Sequence, residues 1–302
     1  LIVALMVATI SWGQIWMEPL HTTGKTSFAI VADLTTWQKC QAEILRYRDV
    51  LEAEQLPSYI VADRWKHPEQ LREILLKLYN EQHLEGAVFI GDIPIPMIRK
   101  AQHMTSAFKM DEKKYPMIRS SVPSDRFYDD FDLKFDFLKQ DSLNPLMFYY
   151  NLSAVSPQDI RCDIYTGRIK PVISEGLDKY QQIRDYLSKA VAAHQEANRL
   201  DQFVSYTGEG SYSNSLTAWR AEQQTLREQL PGVFDRKNNA RFMRYSMWDY
   251  PKDDVITVLK REDLDMMIFH EHGLPHRQYL SAVPSTHDYE QHMEILKREV
   301  RL

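Results

Sequence analysis

The chain has 302 residues, enough for one large domain or two medium ones around a sizeable core. Its 44% apolar and 26% charged residues are ordinary for a globular protein, and a net charge of −5 argues against a nucleic-acid partner. Two cysteines, Cys40 and Cys162, are too few for a disulfide framework, although one bridge between them stays open.

Residues 1–10 are apolar except for Thr9. The run is too short to cross a bilayer and fits the hydrophobic core of an export signal. Ser11 and Gly13 are small residues at the −3 and −1 positions of a cut before Gln14. A buried first strand is the alternative. The expectation is a partial signal peptide over 1–13, clipped at its start, and no membrane span in the mature chain. Phe28–Ala32 then reads as a strand ending at Asp33. Trp37–Gln55 reads as a helix with Trp37, Cys40, Ile44, Leu45, Tyr47 and Leu51 on its apolar stripe. Tyr59–Ala62 reads as a strand before Asp63. Pro68–Gln82 reads as a helix with Pro68 in its first turn. Gly86–Ile90 is a third strand, ended by Gly91-Asp92-Ile93-Pro94-Ile95-Pro96. This alternation predicts a parallel sheet with right-handed crossovers and carboxylates along one rim.

Residues 99–160 are less regular and hold the aromatic and acidic stretch Ser124–Asp136. A strand-like pattern resumes over Arg161–Ile169, and a long helix follows over Glu175–Arg199. Phe203–Tyr206 (strand), a helix through Leu230, Arg241–Tyr245 (strand) and Lys252–Arg261 (helix) repeat the alternation. The expected boundary is near Pro171, giving α/β subdomains over 14–170 and 171–302, each with a mainly parallel sheet covered by helices. Tyr289–Leu302 reads as an uncapped helix. Met266–Phe269 predicts a buried parallel strand that delivers His270-Glu271-His272-Gly273 to its carboxyl end, where chemistry sits in open α/β sheets. There His272 is a candidate general base, and the N–H of Gly273 a candidate donor to a substrate carbonyl.

The ordered set Gly91-Asp92-Ile-Pro-Ile-Pro96, Ser124-Asp125-Arg-Phe-Tyr128-Asp129-Asp130, Gly167-Arg168-Ile169 and strand-His272-Gly273 resembles the gingipain-like cysteine peptidases of Bacteroidetes, in the caspase-fold clan. The resemblance covers roughly residues 28–281. It implies two adjacent α/β subdomains, the second caspase-like, in a protein that is secreted or held in the envelope of a Gram-negative bacterium. It implies hydrolysis of a protein or peptide substrate with no required cofactor. His272 matches the catalytic histidine and Gly273 the oxyanion-donor glycine. The nucleophilic cysteine is expected on a strand after His272, beyond Leu302; neither Cys40 nor Cys162 stands there. Without that cysteine the 302-residue chain is expected to be inactive. An inactive caspase-like scaffold is the alternative.

Three further readings compete. His270, His272, His276 and Glu271 permit a metal site, although no zinc-peptidase spacing is present. Asp125, Asp129, Asp130 and Asp132 permit a structural calcium, against a solvated loop with Phe127, Tyr128 and Phe131 packed inward. Thr23-Gly24-Lys25-Thr26 lacks the first glycine of a phosphate loop and precedes its strand, so it is set aside.

Overall fold

The computed structural model describes residues 13–105, 108–171, 176–196, 202–208, 216–231, 240–244, 251–271, 273–274, 277–278 and 280. The chain divides into two compact units, 1–196 and 197–302. The expected signal peptide and the expected helix over 289–302 lie outside the described residues, apart from Gly13.

In the first unit the elements run β1 (Ile15–Met17), β2 (Ser27–Asp33), α1 (Leu34–Ala53), β3 (Ser58–Asp63), α2 (Pro68–Gln82) and β4 (Leu84–Ile90). They continue through β5 (Ile95–Arg99), α3 (Met117–Ser120), β6 (Val122–Pro123), α4 (Arg126–Asp129), β7 (Phe135–Gln140), β8 (Met147–Leu152), β9 (Tyr165–Ile169) and α5 (Lys179–Gln195). The main sheet has the order β1-β3-β2-β4-β9, parallel apart from the antiparallel edge strand β1. Strand alternation splits its side chains between two cores. Phe28, Ile30, Ala32, Ile60, Ala62, Val88 and Ile90 face Trp37, Cys40, Ile44 and Leu51 of α1 and Ile183 and Leu187 of α5. Ala29, Val31, Tyr59, Ala87 and Phe89 face Leu71, Leu75 and Leu78 of α2, together with Phe127, Tyr128, Phe148, Tyr150 and Leu152. Strands β2, β3 and β4 are buried on both faces, which is why they read as unbroken apolar runs.

Two expectations are corrected here. The stretch 99–160, expected to be less regular, supplies with β5 a second sheet of order β6-β5-β8-β7, in which β5 and β8 are parallel and the outer pairs antiparallel. The helix expected to open the second subdomain, α5, packs on α1 and the first sheet, so the compact units divide after Glu196 and not near Pro171. Burial of Ile183 and Leu187 in the first core is the physical reason.

In the second unit the elements are β10 (Phe203–Thr207), α6 (Leu216–Gln229), β11 (Ala240–Arg244), α7 (Pro251–Leu259), β12 (Met266–His270), β13 (Gly273–Leu274) and β14 (Arg277–Gln278). Strands β11-β10-β12 form a parallel sheet with β10 central and fully buried. Val255 and Val258 of α7 complete its described core. Strand β12 is parallel, as its apolar run predicts, but it stands at an edge among the described strands and Met266–Phe269 are only half-buried. An apolar strand at an edge offers unpaired backbone groups to a further strand. The chain is thus a mixed α/β protein.

Candidate active site

The acids at the carboxyl rim of the first sheet are engaged by neighbouring backbone N–H groups and lysines. Asp33 ends β2 and caps α1: its Oδ1 accepts from Thr36 N at 2.9 Å, and its Oδ2 from Thr36 Oγ1 at 2.5 Å and from Asp92 N at 2.8 Å. Gly91 makes this closure possible. Its φ is +85°, and a Cβ there would overlap the Asp33 carboxylate and the Thr36 side chain. Strand order reverses between β2 and β4, the place where open α/β sheets bind ligands; here the capping bonds of Asp33 tie the two strand ends together. Asp92 pairs with Lys179 at 2.5 Å and Lys170 at 3.2 Å. Burial raises its carboxyl, but the two ammonium groups outweigh that and hold it below the usual range.

The other motif residues meet around Arg168. Its guanidinium donates to both carboxylate oxygens of Asp125 at 2.7 Å, to Ile93 O at 3.0 Å and to Pro94 O at 2.9 Å. It also lies over the rings of Phe89 and Tyr128, and the Tyr128 hydroxyl donates to Pro94 O at 3.0 Å. Three segments that sequence alone could only line up in order are therefore bound to one side chain. The role is a brace.

The acidic loop is tied in the same way. Asp129 Oδ2 accepts from Arg126 at 2.5 Å and Thr166 Oγ1 at 2.6 Å, and Asp130 Oδ2 accepts from Arg161 N at 2.7 Å. Asp132 is exposed. Among the described residues no three His, Cys, Asp or Glu side chains are grouped to hold a metal ion. Phe127 and Tyr128 are buried and Phe131 is half-buried, so the aromatics of this loop pack inward.

Asp129 is completely buried, and burial pushes its carboxyl up to about 6. Its folded value thus lies above the unfolded value of about 3.9. Below the unfolded value both states carry the proton and this group's contribution is fully present; it is lost as pH rises through about 6. Two units correspond to roughly 3 kcal/mol. We expect the urea midpoint of wild type to fall more steeply between pH 4 and 7.5 than that of Asp129→Asn. Equal pH slopes would remove Asp129 as the cause.

Both cysteines are free and both belong to the first unit. Cys40 is buried on α1 and its thiol is pushed up by that burial, which suits a packing residue and not a thiolate nucleophile. Cys162 is exposed and its sulfur accepts from the Arg126 guanidinium.

In the second unit the strand-end residues converge. Thr207 and His270 end β10 and β12 and are register partners, and Gly208 N donates to His270 O at 3.0 Å. Glu222, in the middle of α6, reaches both: Thr207 Oγ1 donates to its Oε2 at 3.2 Å, and His270 Nδ1 donates to its Oε1. The Glu222 side chain is 16% exposed and that of His270 45%. Glu271 follows with both carboxylate oxygens buried and, among the described residues, without a hydrogen-bond partner, and its carboxyl is raised by burial. His272 and His276 lie outside the described residues. Gly273 begins a short hairpin, paired across from Gln278. Glu222 and Thr207 carry no motif; 48 residues separate Glu222 from His270, and nothing local marks the pair.

No family model, curated protein or solved structure matches the chain. Among the described residues no helix is long and apolar enough to cross a membrane.

Proposed function

We propose that the chain is the histidine-bearing part of a secreted, gingipain-like cysteine endopeptidase with a caspase-like second unit. The observation that carries this reading is the end of β12. A parallel strand in a three-stranded sheet stops at His270, and Glu271, His272 and Gly273 follow at the carboxyl side, where catalytic groups of open α/β sheets stand. Among the described strands β12 stands half-buried at an edge, which suits a further strand, and on this reading that strand carries the nucleophilic cysteine, after residue 302 of the complete protein. An imidazole beside the thiol raises its thiolate fraction and returns the proton to the leaving amine. The resemblance assigns that imidazole to His272, and the oxyanion-donating N–H to Gly273.

The test is hydrolysis of unstructured protein substrates by the complete secreted protein. Alkylation of its thiols is expected to abolish cleavage, and chelation to leave it intact. Loss of cleavage with chelator alone would move the chemistry to a metal. A complete protein without a cysteine after β12 that still binds envelope proteins would favour the inactive scaffold.

A further inference from the structure

We infer that β9 is a docking strand: an extended peptide segment of another protein adds to its outer edge and seats one large apolar side chain in a cleft over Gly167. This does not depend on the peptidase reading, and every residue involved belongs to the first unit. Three observations carry it. First, β9 ends the main sheet on one side and pairs, among the described strands, with β4 alone. A sheet edge offers unpaired main-chain donors and acceptors to another chain, and proteins guard such edges with short strands, bulges, prolines or charges. Strand β1 has only three residues, β6 ends in Pro123, and β7 carries a bulge together with Asp136 and Lys139. Strand β9 instead keeps unbroken register over Tyr165–Ile169 and holds no proline, and its one charged residue, Arg168, is bound to Asp125. Second, the face of β9 toward α1 and α5 has a hole in it. Tyr165 and Ile169 lie on that face: the ring centres of Tyr165 and Phe28 are 5.9 Å apart, and Ile169 packs on the core that holds Ile90. Strand alternation puts Gly167 on the same face, beside Val88, and a Cβ there would meet no atom within 4 Å. Glycine weakens a strand interior and often marks the close approach of a ligand or another backbone. Third, the hole is walled. Tyr47 of α1 and Tyr186, Ala190 and Ala193 of α5 surround it and leave a cleft of about 680 Å³, open to solvent. His194 also lines it, with Nδ1 2.8 Å from Glu54 Oε1 and its ring centre 6.0 Å from that of Tyr47, so α1 and α5 are tied together there and the walls are pre-formed.

A strand hydrogen-bonded to β9 lies about 4.8 Å from it, and side chains in register stand side by side on one face. The residue opposite Gly167 therefore directs its side chain at the cleft and meets no side chain of β9 there. The main chain supplies affinity with little sequence preference, and the cleft selects one large apolar residue, as strand-addition sites do. A second copy of β9 is poorly suited to fill it. On that face it offers only Tyr165 and Ile169, and both are engaged at home, Tyr165 by Phe28 and by Glu85 at 2.8 Å, Ile169 by its own core.

The experiment uses the full chain and a fluorescein-labelled hexapeptide, Lys-Thr-Val-Phe-Thr-Lys, blocked at both ends. Fluorescence anisotropy follows binding, and hydrogen–deuterium exchange follows the backbone. Wild type is expected to bind the peptide and to exchange more slowly across Tyr165–Ile169 when it is bound. Alanine in place of the phenylalanine is expected to weaken binding about 10- to 100-fold, the effect of no longer burying a large apolar side chain. N-methylation of alternate peptide amides, in one of the two phases, is expected to abolish binding, because those N–H groups pair with β9. Gly167→Val is expected to fill the cleft from within: binding falls about tenfold or more, while the thermal midpoint holds or rises, since a β-branched residue suits a strand and has room there. Tyr186→Ala, at a position 55% exposed, is also expected to weaken binding and carries the comparison if the valine variant does not fold. No binding by wild type at millimolar peptide, or equal binding by wild type and the folded variants, overturns the inference. Binding that survives N-methylation in both phases assigns the cleft to a free apolar molecule, and a dimer that forms without peptide and is lost in Gly167→Val assigns it to a second copy; either result overturns the inference.

Discussion

Replacement of Arg72 by methionine is expected to destabilise the first unit by about 2–4 kcal/mol, because the half-buried guanidinium is the donor to several carbonyls at once. Arg72 lies on α2 and reaches across the second core. It donates to the carbonyl of Phe127 and to those of Asp130, Phe131 and Leu133, the last three at 3.2, 3.0 and 2.8 Å. Its guanidinium carbon also sits 5.3 to 5.9 Å from the ring centres of Phe127, Phe131 and Phe135. Burial lowers its pKa, while the nearby acids Asp130, Asp163 and Asp129 favour the charge. Methionine fills similar volume but leaves the carbonyls at the turn of the acidic loop without a donor. Lysine is expected to recover less than half of the loss, because a point charge cannot reach all of them with a planar fork. Equilibrium urea unfolding of the full chain measures this. A loss below about 1 kcal/mol, the worth of a single ordinary hydrogen bond, would show that the loop is held by its aromatic packing alone.

Arg168→Ala is expected to cost about 2–4 kcal/mol, somewhat less than a fully buried pair because both partners are partly solvated. The side chains of Arg168 and Asp125 are 20% and 23% exposed. The deletion strands the Asp125 carboxylate and the carbonyls of Ile93 and Pro94 together, and uncovers the rings of Phe89 and Tyr128. A double-mutant cycle separates these contributions. Asp125→Ala on top of Arg168→Ala is expected to cost little more, since the unpaired charge has gone. Strict additivity of the two single losses would mean that the pair contributes nothing as a pair. Lost stability in Arg168→Ala, with no change in the substrate affinity of the complete protein, is the pattern expected of a brace.

The elements of the chain were largely legible in its local pattern. Apolar runs bounded by Asp33, Asp63 and Gly91-Asp92 define β2, β3 and β4, and the helical stripe over Trp37–Leu51 and the proline at position 68 define α1 and α2. Such signals survive because each segment must bury its own apolar face, whatever its neighbours are. What the pattern could not carry was partnership between distant segments. The sheet built from β5–β8 was missed because its outer strand β7 is mostly exposed and mixes apolar with charged residues, and β5 follows β4 after a turn of four residues, Gly91–Pro94. The place of α5 depended on which core would take Ile183 and Leu187, a choice made by the sheet and not by the helix. Likewise Met266–Phe269 announced a strand, but only the sheet order puts it at an edge among the described strands, half-buried. The same division runs through the site. The sequence delivers a His-Glu-His-Gly segment to a strand end because an apolar run stops there. Only tertiary structure brings Glu222 and Thr207 to His270 and gathers the motif residues around Arg168, because side-chain hydrogen bonds between remote segments leave no periodicity in the chain.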